Sequence, residues 1–138
     1  MNLALVDTDT LSAFMTRNPR VLARAAAYMA EHERLSFSAM TRFEVLRGLE
    51  ARRAVRRIQE FRGACSTAHI TPITDAILDR AAVVYGELRR AGTLIPDADL
   101  IIGVTALELG YDMVTNNVRH FNRIPGLRVV NWLDAGGP

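Results

Sequence analysis

The sequence contains no lysine, and this absence excludes every mechanism that needs a catalytic lysine. All seventeen basic side chains among its 138 residues are arginine, and the formal net charge is +2. Arginine is better suited than lysine to bidentate contact with phosphate. Codon bias would produce the same composition, so the charge alone is weak evidence for a nucleic-acid ligand.

Cysteine and long apolar runs are also scarce. Cys65 is the only cysteine, so the chain cannot form an internal disulfide or a zinc site built from cysteines. Without a CxxC partner we expect an unreactive thiol. No apolar run approaches the ~18 residues that a membrane-spanning helix needs, and residues 1–3 lead into a strand-like stretch rather than a signal segment. We therefore expect a cytoplasmic protein with no membrane partner.

The remaining composition is that of an ordinary folded domain. Hydrophobic residues make up 49% of the chain and charged residues 23%, which is near the average for soluble globular proteins. A chain of 138 residues falls within the size range of one domain. We find no repeat, linker or low-complexity segment, so we predict a single domain over residues 1–138.

Short apolar segments alternate with helical patterns along the chain. The helical patterns include one from about Thr41 to Glu50 and another from Arg52 to Arg62. The predicted strands are residues 3–6, 35–38, 69–73, 111–115 and 127–130. This alternation predicts an α/β fold, a three-layer α/β/α sandwich around a central parallel sheet of about five short strands. The carboxyl ends of those strands are the expected place for a functional site.

Three carboxylates occur where this fold would bring them together. Asp7 stands at the end of the first strand, Glu44 in the predicted first turn of the helix after the second strand, and Asp99 in the first turn of a very apolar helix. Clustered, buried carboxylates repel one another and need protons or a divalent cation. Mg²⁺ prefers oxygen ligands and can activate water and stabilise charge on phosphate oxygens. The cluster therefore indicates a phosphodiesterase.

Each acidic residue also has a structural interpretation. For Asp7 we favour a ligand over a helix cap, because a carboxylate at the end of a buried strand has no obvious structural task. Thr41 and Glu44 fit the spacing of a capping box, in which the glutamate only satisfies a backbone N–H, and on this pattern alone we favour capping for Glu44. Asp9 and Asp97 each fit a helix start, and we favour capping for Asp9.

Four blocks of the sequence then show a resemblance to a known family. The blocks are Val6-Asp7-Thr8, residues 43–49 (FEVLRGL), residues 95–102 (IPDADLII) and residues 113–121 (MVTNNVRHF). In this order and spacing they resemble VapC-type PIN domains, which are the ribonuclease toxins of type II toxin–antitoxin pairs. Because the blocks are spread over nearly the whole chain, the match is more specific than any single acidic motif.

The resemblance implies a PIN-like fold and a Mg²⁺-dependent endoribonuclease, with Mn²⁺ as the other candidate cofactor. It assigns Asp7, Glu44 and Asp99 as the catalytic and metal-binding residues, which favours the site role of Glu44 over capping. Thr115 and Asn117 match polar site residues of the family. Hydrolysis by this site would leave a 3′-hydroxyl and a 5′-phosphate.

One position departs from the family pattern. Many relatives have an aspartate where this chain has His120, so a tight second metal site is missing one acid. Asp97 is one candidate for the missing oxygen ligand, and the substrate phosphate is the other. We expect His120, which we place in an exposed loop, to be a bystander rather than a catalytic residue.

The resemblance further implies partners. They are an RNA substrate, a second copy of the chain in a homodimer, and a cognate VapB-like antitoxin whose acidic or arginine-bearing tail would cover the carboxylates. The predicted helix over residues 52–62 would carry a cationic track for RNA, although a solvated or partner-facing surface fits equally well. The track consists of Arg52, Arg53, Arg56 and Arg57.

Three other functions fit part of the sequence. The first is a catalytically weak PIN domain that serves as a scaffold for RNA or protein partners, which the loss of an acid at His120 favours. The second is a DxD-type phosphatase with Asp7 as nucleophile and Asp9 as general acid. The third is a response-regulator receiver. The phosphatase and the receiver normally use a lysine, which this chain lacks.

Overall fold

The computed structural model describes residues 1–134, which contain five strands and seven helices. The strands are β1 (Ala4–Val6), β2 (Ser36–Ser38), β3 (His69–Thr71), β4 (Asp112–Val114) and β5 (Val129–Val130). The helices are α1 (Thr8–Met15), α2 (Pro19–His32), α3 (Ala39–Ala51), α4 (Val55–Cys65), α5 (Asp75–Ala91), α6 (Asp97–Leu109) and α7 (Val118–Phe121). All five predicted strands are confirmed, each shorter than predicted. Within residues 1–134, no helix combines the length and apolar character that crossing a membrane requires.

Every strand pair in the described chain is parallel, as predicted. Backbone hydrogen bonds join the strands in the order β1-β4-β5 in one ladder and join β2 to β3 in another. β1 and β2 lie side by side where the two ladders meet. With at most three residues per strand, each strand offers few backbone groups for pairing. The predicted central sheet of five short strands is thus hydrogen-bonded as a group of three strands and a group of two.

Helices cover both faces of the strands. Along β1, Ala4 and Val6 pack into an apolar cluster with α1 to α4, whereas Leu5 packs into a second cluster with α5 and α6. Val114 and Met113 of β4 divide between the two clusters in the same way. Successive side chains of a strand point to opposite faces, so the strands form the middle layer. The predicted three-layer sandwich is confirmed.

The start of α3 differs from the prediction and changes the interpretation of Glu44. The helix begins at Ala39, and its N-cap is Ser38, whose Oγ accepts a hydrogen bond from the backbone N of Thr41 at 3.1 Å. Thr41 is thus inside the helix and cannot be the cap of a capping box. Glu44 lies in the second turn of α3 rather than the first, and its carboxylate is available for another role.

The predicted helix over residues 52–62 is wrong at its beginning. α3 ends at Ala51 with Arg52 as its C-cap, and Arg53 has a left-handed backbone with φ of 52°. A left-handed residue cannot continue an α-helix, so a tight turn follows, and α4 begins only at Val55. Arg52 and Arg53 therefore lie in the turn rather than on the helix.

The apolar helix α6 is buried, as predicted, and it packs closely on α7. Its buried residues include Leu100, Ile102, Val104 and Ala106. Gly103 allows this approach, because a Cβ there would overlap the side chain of Ile124 and lie 3.1 Å from Phe121 Cδ1. The packing fixes the position of α6, and with it the carboxylate in its first turn.

We expect Gly103→Ala to lower the free energy of unfolding by roughly 1–3 kcal/mol, because the added methyl group overpacks the contact of α6 with Phe121 of α7 and with Ile124 beyond it. Gly63→Ala is the matched control on the exposed face of α4, where a Cβ meets nothing within 4 Å. We expect that control to be stabilised by about 0.5–1 kcal/mol. Urea denaturation measures both changes. Equal stability of Gly103→Ala and the wild type would contradict the close packing of α6 on α7.

Candidate functional site

Asp7 is the most deeply buried carboxylate of the predicted site. It follows β1 directly and is 5% exposed, and its backbone N donates to Val114 O at 2.8 Å. Thr115, which follows the neighbouring strand β4, donates from Oγ1 to Asp7 Oδ2 at 2.7 Å. Asp7 occupies the N-cap position of α1 but makes no side-chain capping hydrogen bond. The structure therefore does not support the capping interpretation of Asp7.

Burial raises the pKa of the Asp7 carboxyl to about 7. The negative charges of Asp9 and, to a smaller extent, Asp99 contribute to this rise in pKa, while hydrogen bonds from the Thr115 hydroxyl and the Thr8 backbone act in the opposite direction. Desolvation and like charges both disfavour the ionised form. Without a cation, the Asp7 carboxyl is protonated in a large fraction of molecules near neutral pH.

Glu44 reaches the same region from α3. Its Oε1 accepts a hydrogen bond from Thr8 Oγ1 at 2.7 Å, and its Oε2 lies 3.3 Å from Nη2 of Arg47. The Glu44 side chain is only 15% exposed. Because Thr8 follows Asp7 in the chain, this hydrogen bond ties Glu44 to the end of β1. The structure thus places Glu44 beside the first strand, as the predicted site requires.

Asp99 is held by two residues of the fourth sequence block. Its Oδ2 lies 2.8 Å from His120 Nδ1 and accepts a hydrogen bond from Asn117 Nδ2 at 3.4 Å. The backbone N of Asn117 also donates to Thr115 Oγ1 at 2.9 Å. Thr115 and Asn117 therefore connect Asp7 to Asp99 through a chain of hydrogen bonds. Their prediction as site residues rests on resemblance alone, and the structure places both between the two carboxylates.

His120 is not in an exposed loop, which corrects the prediction. It lies in α7, its side chain is 34% exposed, and it contacts Asp99 directly. A contact across twenty-one positions of the sequence leaves no local pattern. The only sequence signal that His120 faces the site was the aspartate that many relatives have at this position.

Asp9 and Asp97 differ from each other in their surroundings. Asp9 is not the N-cap of α1 but lies in its first turn, and its Oδ2 accepts from the backbone N of Asn116 at 3.2 Å. Asp97 opens α6, is exposed, and its carboxylate makes no hydrogen bond or ion pair with another residue of 1–134.

Burial raises the pKa of the Cys65 thiol, which agrees with the unreactive thiol we expected.

The three predicted metal ligands provide a suitable donor set but not a preformed metal site. Within residues 1–134, no group of three or more Asp, Glu, His and Cys side chains is arranged to hold a metal ion. Asp7, Glu44 and Asp99 instead bind hydroxyl, amide and imidazole groups. Their oxygens are the ligands that Mg²⁺ and Mn²⁺ prefer, and the buried Asp7 carboxylate needs a cation or a proton. A bound ion would replace some of these hydrogen bonds.

A groove of about 140 Å³ runs beside Glu44 between α1 and α3, and it reaches the turn that joins α3 to α4. Two of the four arginines predicted as an RNA track, Arg52 and Arg57, line this groove. Arg56 is not among its lining residues, and its side chain is 92% exposed and pairs with Glu60 at 3.4 Å. The four arginines therefore do not form one row, and only part of the set lies beside the carboxylates.

Comparisons with known proteins find similarity along nearly the whole chain. The protein-family model described as the PIN domain matches residues 4–127 of this chain. The tRNA(fMet)-specific endonuclease VapC of Salmonella typhimurium is 27% identical over 129 residues, which cover 93% of this chain and 96% of that protein. Among solved structures, DNA-bound VapBC from Salmonella typhimurium gives a TM-score of 0.80 at 25% identity, covering 96% of this chain and 99% of the other. A toxin–antitoxin complex from Klebsiella pneumoniae gives 0.70 at 26% identity, covering 94% and 97%.

The Asp7 carboxyl makes stability depend on pH in a defined window. Its pKa is about 7 in the folded protein and about 4 in an unfolded chain. Between these values the folded state retains a proton that the unfolded state loses, so stability falls as the pH rises from about 4 to about 7. The Asp7→Asn variant has no ionisable group at this position, so its stability does not fall in this pH range for this reason.

We therefore expect Asp7→Asn to be more stable than the wild type in EDTA at pH 8, by up to about 4 kcal/mol. Near pH 4 the difference should almost disappear. Urea denaturation of both proteins from pH 4 to pH 8 measures it. Parallel stability profiles for the two proteins would contradict the raised pKa of Asp7.

Proposed function

This chain belongs to the PIN domain family, and from that premise we propose that it is a metal-dependent endoribonuclease, the toxin of a toxin–antitoxin pair in the cytoplasm. The observation that carries the proposal is the buried Asp7 carboxylate, linked through Thr115 and Asn117 to Asp99. The relative from Salmonella typhimurium is named as a tRNA-specific endonuclease, which supports RNA as the substrate class. We also propose that residues 1–138 form a single domain.

Asp7, Glu44 and Asp99 would hold the ion, Mg²⁺ or Mn²⁺. When bound, such an ion supplies Lewis-acid chemistry toward water and phosphate oxygens. Asp7 gives up its proton to bind the ion, while the Thr115 hydroxyl keeps that carboxylate in position. Asn117 orients Asp99 in the same way.

Glu44 has the second role in the proposed reaction. Its Oε1 accepts from the Thr8 hydroxyl and its Oε2 pairs with Arg47 Nη2 at 3.3 Å. To bind the ion or orient the attacking water, Oε2 would share or replace its contact with Arg47. Water attacks the phosphorus in line, and the bond from phosphorus to the 3′ oxygen breaks. The products are a 3′-hydroxyl and a 5′-phosphate. Asp97, which is exposed at the start of α6, is proposed as a further ligand if a second ion binds.

An RNA surface is proposed along the groove beside Glu44. Arg52 and Arg57 line this groove, where they could pair with the backbone phosphates on either side of the cut. Arg53, in the turn, and Arg56, in the first turn of α4, would contact RNA outside the groove. Phosphate contacts of this kind contribute affinity that falls as salt rises.

A toxin of this kind also needs an antitoxin. An apolar groove of about 250 Å³ lies between α1, α2 and α4. Its lining includes Phe14, Met15, Met29 and Phe61. We propose that a VapB-like antitoxin inserts apolar side chains into this groove. The similarity to a solved toxin–antitoxin complex supports a partner of this class. We also propose that the active unit is a homodimer.

A second candidate function is a PIN domain that binds RNA or a protein without efficient cleavage. The contact between His120 Nδ1 and Asp99 Oδ2 at 2.8 Å favours it, because an imidazole now occupies a lone pair that a metal would use. The DxD-type phosphatase has less support. Asp9, its general acid, is engaged with the backbone N of Asn116.

Cleavage assays with the purified, antitoxin-free protein test the main proposal. We expect discrete cuts with 5′-phosphate ends in total cellular RNA with Mg²⁺ or Mn²⁺, and none in EDTA. Asp99→Asn should reduce the rate by roughly 100-fold or more. Asp79→Asn, an exposed acid on α5, is the matched control and should cleave normally. Bound but uncut RNA in the wild type would contradict the nuclease and favour the scaffold.

Two neighbouring arginines of α4 test the RNA surface. Arg57 lines the groove beside Glu44, whereas Arg56 pairs with Glu60 outside it. We expect Arg57→Met to weaken single-stranded RNA binding about 3- to 10-fold and to lower the salt slope by about 0.7. Arg56→Met should change both quantities less. Filter binding at several salt concentrations measures them, and equal effects of the two variants would exclude the groove as the RNA path.

A further inference from the structure

An exposed aromatic side chain lies on α3 next to Glu44. Phe43 is 54% exposed, although α3 buries Thr41, Val45 and Leu49 on its other side. The guanidinium carbon of Arg47 lies 5.3 Å from the centre of the Phe43 ring. An arginine at this distance contacts the ring face through a cation–π interaction. The two side chains thus form a small platform that faces solvent.

Arg47 connects this platform to the predicted site. Its Nη2 lies 3.3 Å from Glu44 Oε2, and its side chain is 58% exposed. Residues three and four apart are neighbours on one side of a helix, so Phe43, Arg47 and Glu44 follow one another around α3. The ion pair of Arg47 therefore joins the platform directly to Glu44, one of the three predicted site carboxylates.

We propose that Phe43 and Arg47 form a nucleotide subsite that binds one unpaired nucleotide of single-stranded RNA beside the cut. The base stacks on the exposed ring of Phe43, and Arg47 pairs with the adjoining phosphate. Aromatic rings and guanidinium planes are the usual stacking surfaces for unpaired bases. The guanidinium has five N–H donors, and the contact with Glu44 leaves others for phosphate. This inference rests on the proposed function, because it assigns part of the same RNA site.

The subsite makes the enzyme selective for unpaired RNA. A base within a duplex is stacked on its neighbours and cannot lie on Phe43 without first leaving the helix. The phosphate contact of Arg47 carries no sequence information, since phosphates are the same at every position. Loss of the ring should therefore raise KM for single-stranded substrates while leaving kcat nearly unchanged.

Binding in EDTA tests the subsite separately from cleavage. The probe is a fluorescein-labelled single-stranded RNA of ten mixed nucleotides, compared with the blunt duplex of the same sequence by fluorescence anisotropy. We expect Phe43→Ser to weaken single-strand binding about 5- to 50-fold with little change for the duplex. Phe43→Trp should retain affinity, and the new indole should be quenched by the single strand. Trp132 is 4% exposed and gives a constant background.

Matched controls come from α5, away from the platform on α3. Val83 on α5 is 62% exposed, so Val83→Ser removes an exposed apolar side chain without touching α3. Arg80 pairs with Glu108 at 2.9 Å, and Arg80→Met is the control for Arg47→Met. We expect both controls to bind RNA as the wild type does, and Arg47→Met to bind it more weakly.

Two results would overturn the subsite. The first is unchanged single-strand affinity and KM in Phe43→Ser. The second is a change in self-association of Phe43→Ser, measured by sedimentation, with RNA binding intact, which would assign the ring to a protein interface. Failure of the proposed function looks different, because the wild type would then lack metal-dependent cleavage whatever residue stands at position 43.

Discussion

The buried carboxylate of Asp7 is the constraint on which the rest of the candidate site depends. Two parallel strands, β1 and β4, end side by side and place Asp7 next to Thr115. Burial and the charge of Asp9 oppose its ionisation. A carboxylate in this position requires either a proton or a cation. The fold thus creates a local need for positive charge at the edge of the sheet where parallel α/β folds bind their ligands.

The residues around Asp7 connect it to Asp99 and orient both carboxylates. Thr115 accepts from Asn117 and donates to Asp7, and Asn117 donates to Asp99, so two carboxylates are positioned by one chain of hydrogen bonds. α6 is held rigidly by its burial and by the close approach at Gly103. If an ion binds, we therefore expect Asp99 to approach it by side-chain rotation rather than by movement of the backbone.

Local patterns in the sequence were enough to predict the strands, the buried helix and the positions of Asp7 and Asp99. Apolar runs that end in an acid mark strand ends directly. The start of α3 was missed because Ser38 and Thr41 are both good N-cap residues, and only tertiary structure selects between them. The turn at Arg53 was missed because a left-handed arginine has no sequence signature.

Long-range contacts account for the remaining errors. The pair His120 and Asp99 joins two helices through a hydrogen bond that no helical or strand periodicity encodes. The separation of the four arginines likewise depends on how α4 is oriented after the turn. Family resemblance supplied Glu44, Thr115 and Asn117, whereas physical reasoning from the residues alone had favoured capping for Glu44. The hydroxyl of Thr8 now gives Glu44 a contact beside the first strand.

Calorimetric titration with Mn²⁺ in two buffers of different ionisation heat tests the central claim most directly, because it counts the protons released on binding. Asp7 has a pKa of about 7 in the metal-free protein. We predict release of about one proton per ion near pH 6, almost none above pH 8, and much less at pH 6 for Asp7→Asn. Mn²⁺ binding with no proton release at pH 6, or with the same release in Asp7→Asn, would contradict the account.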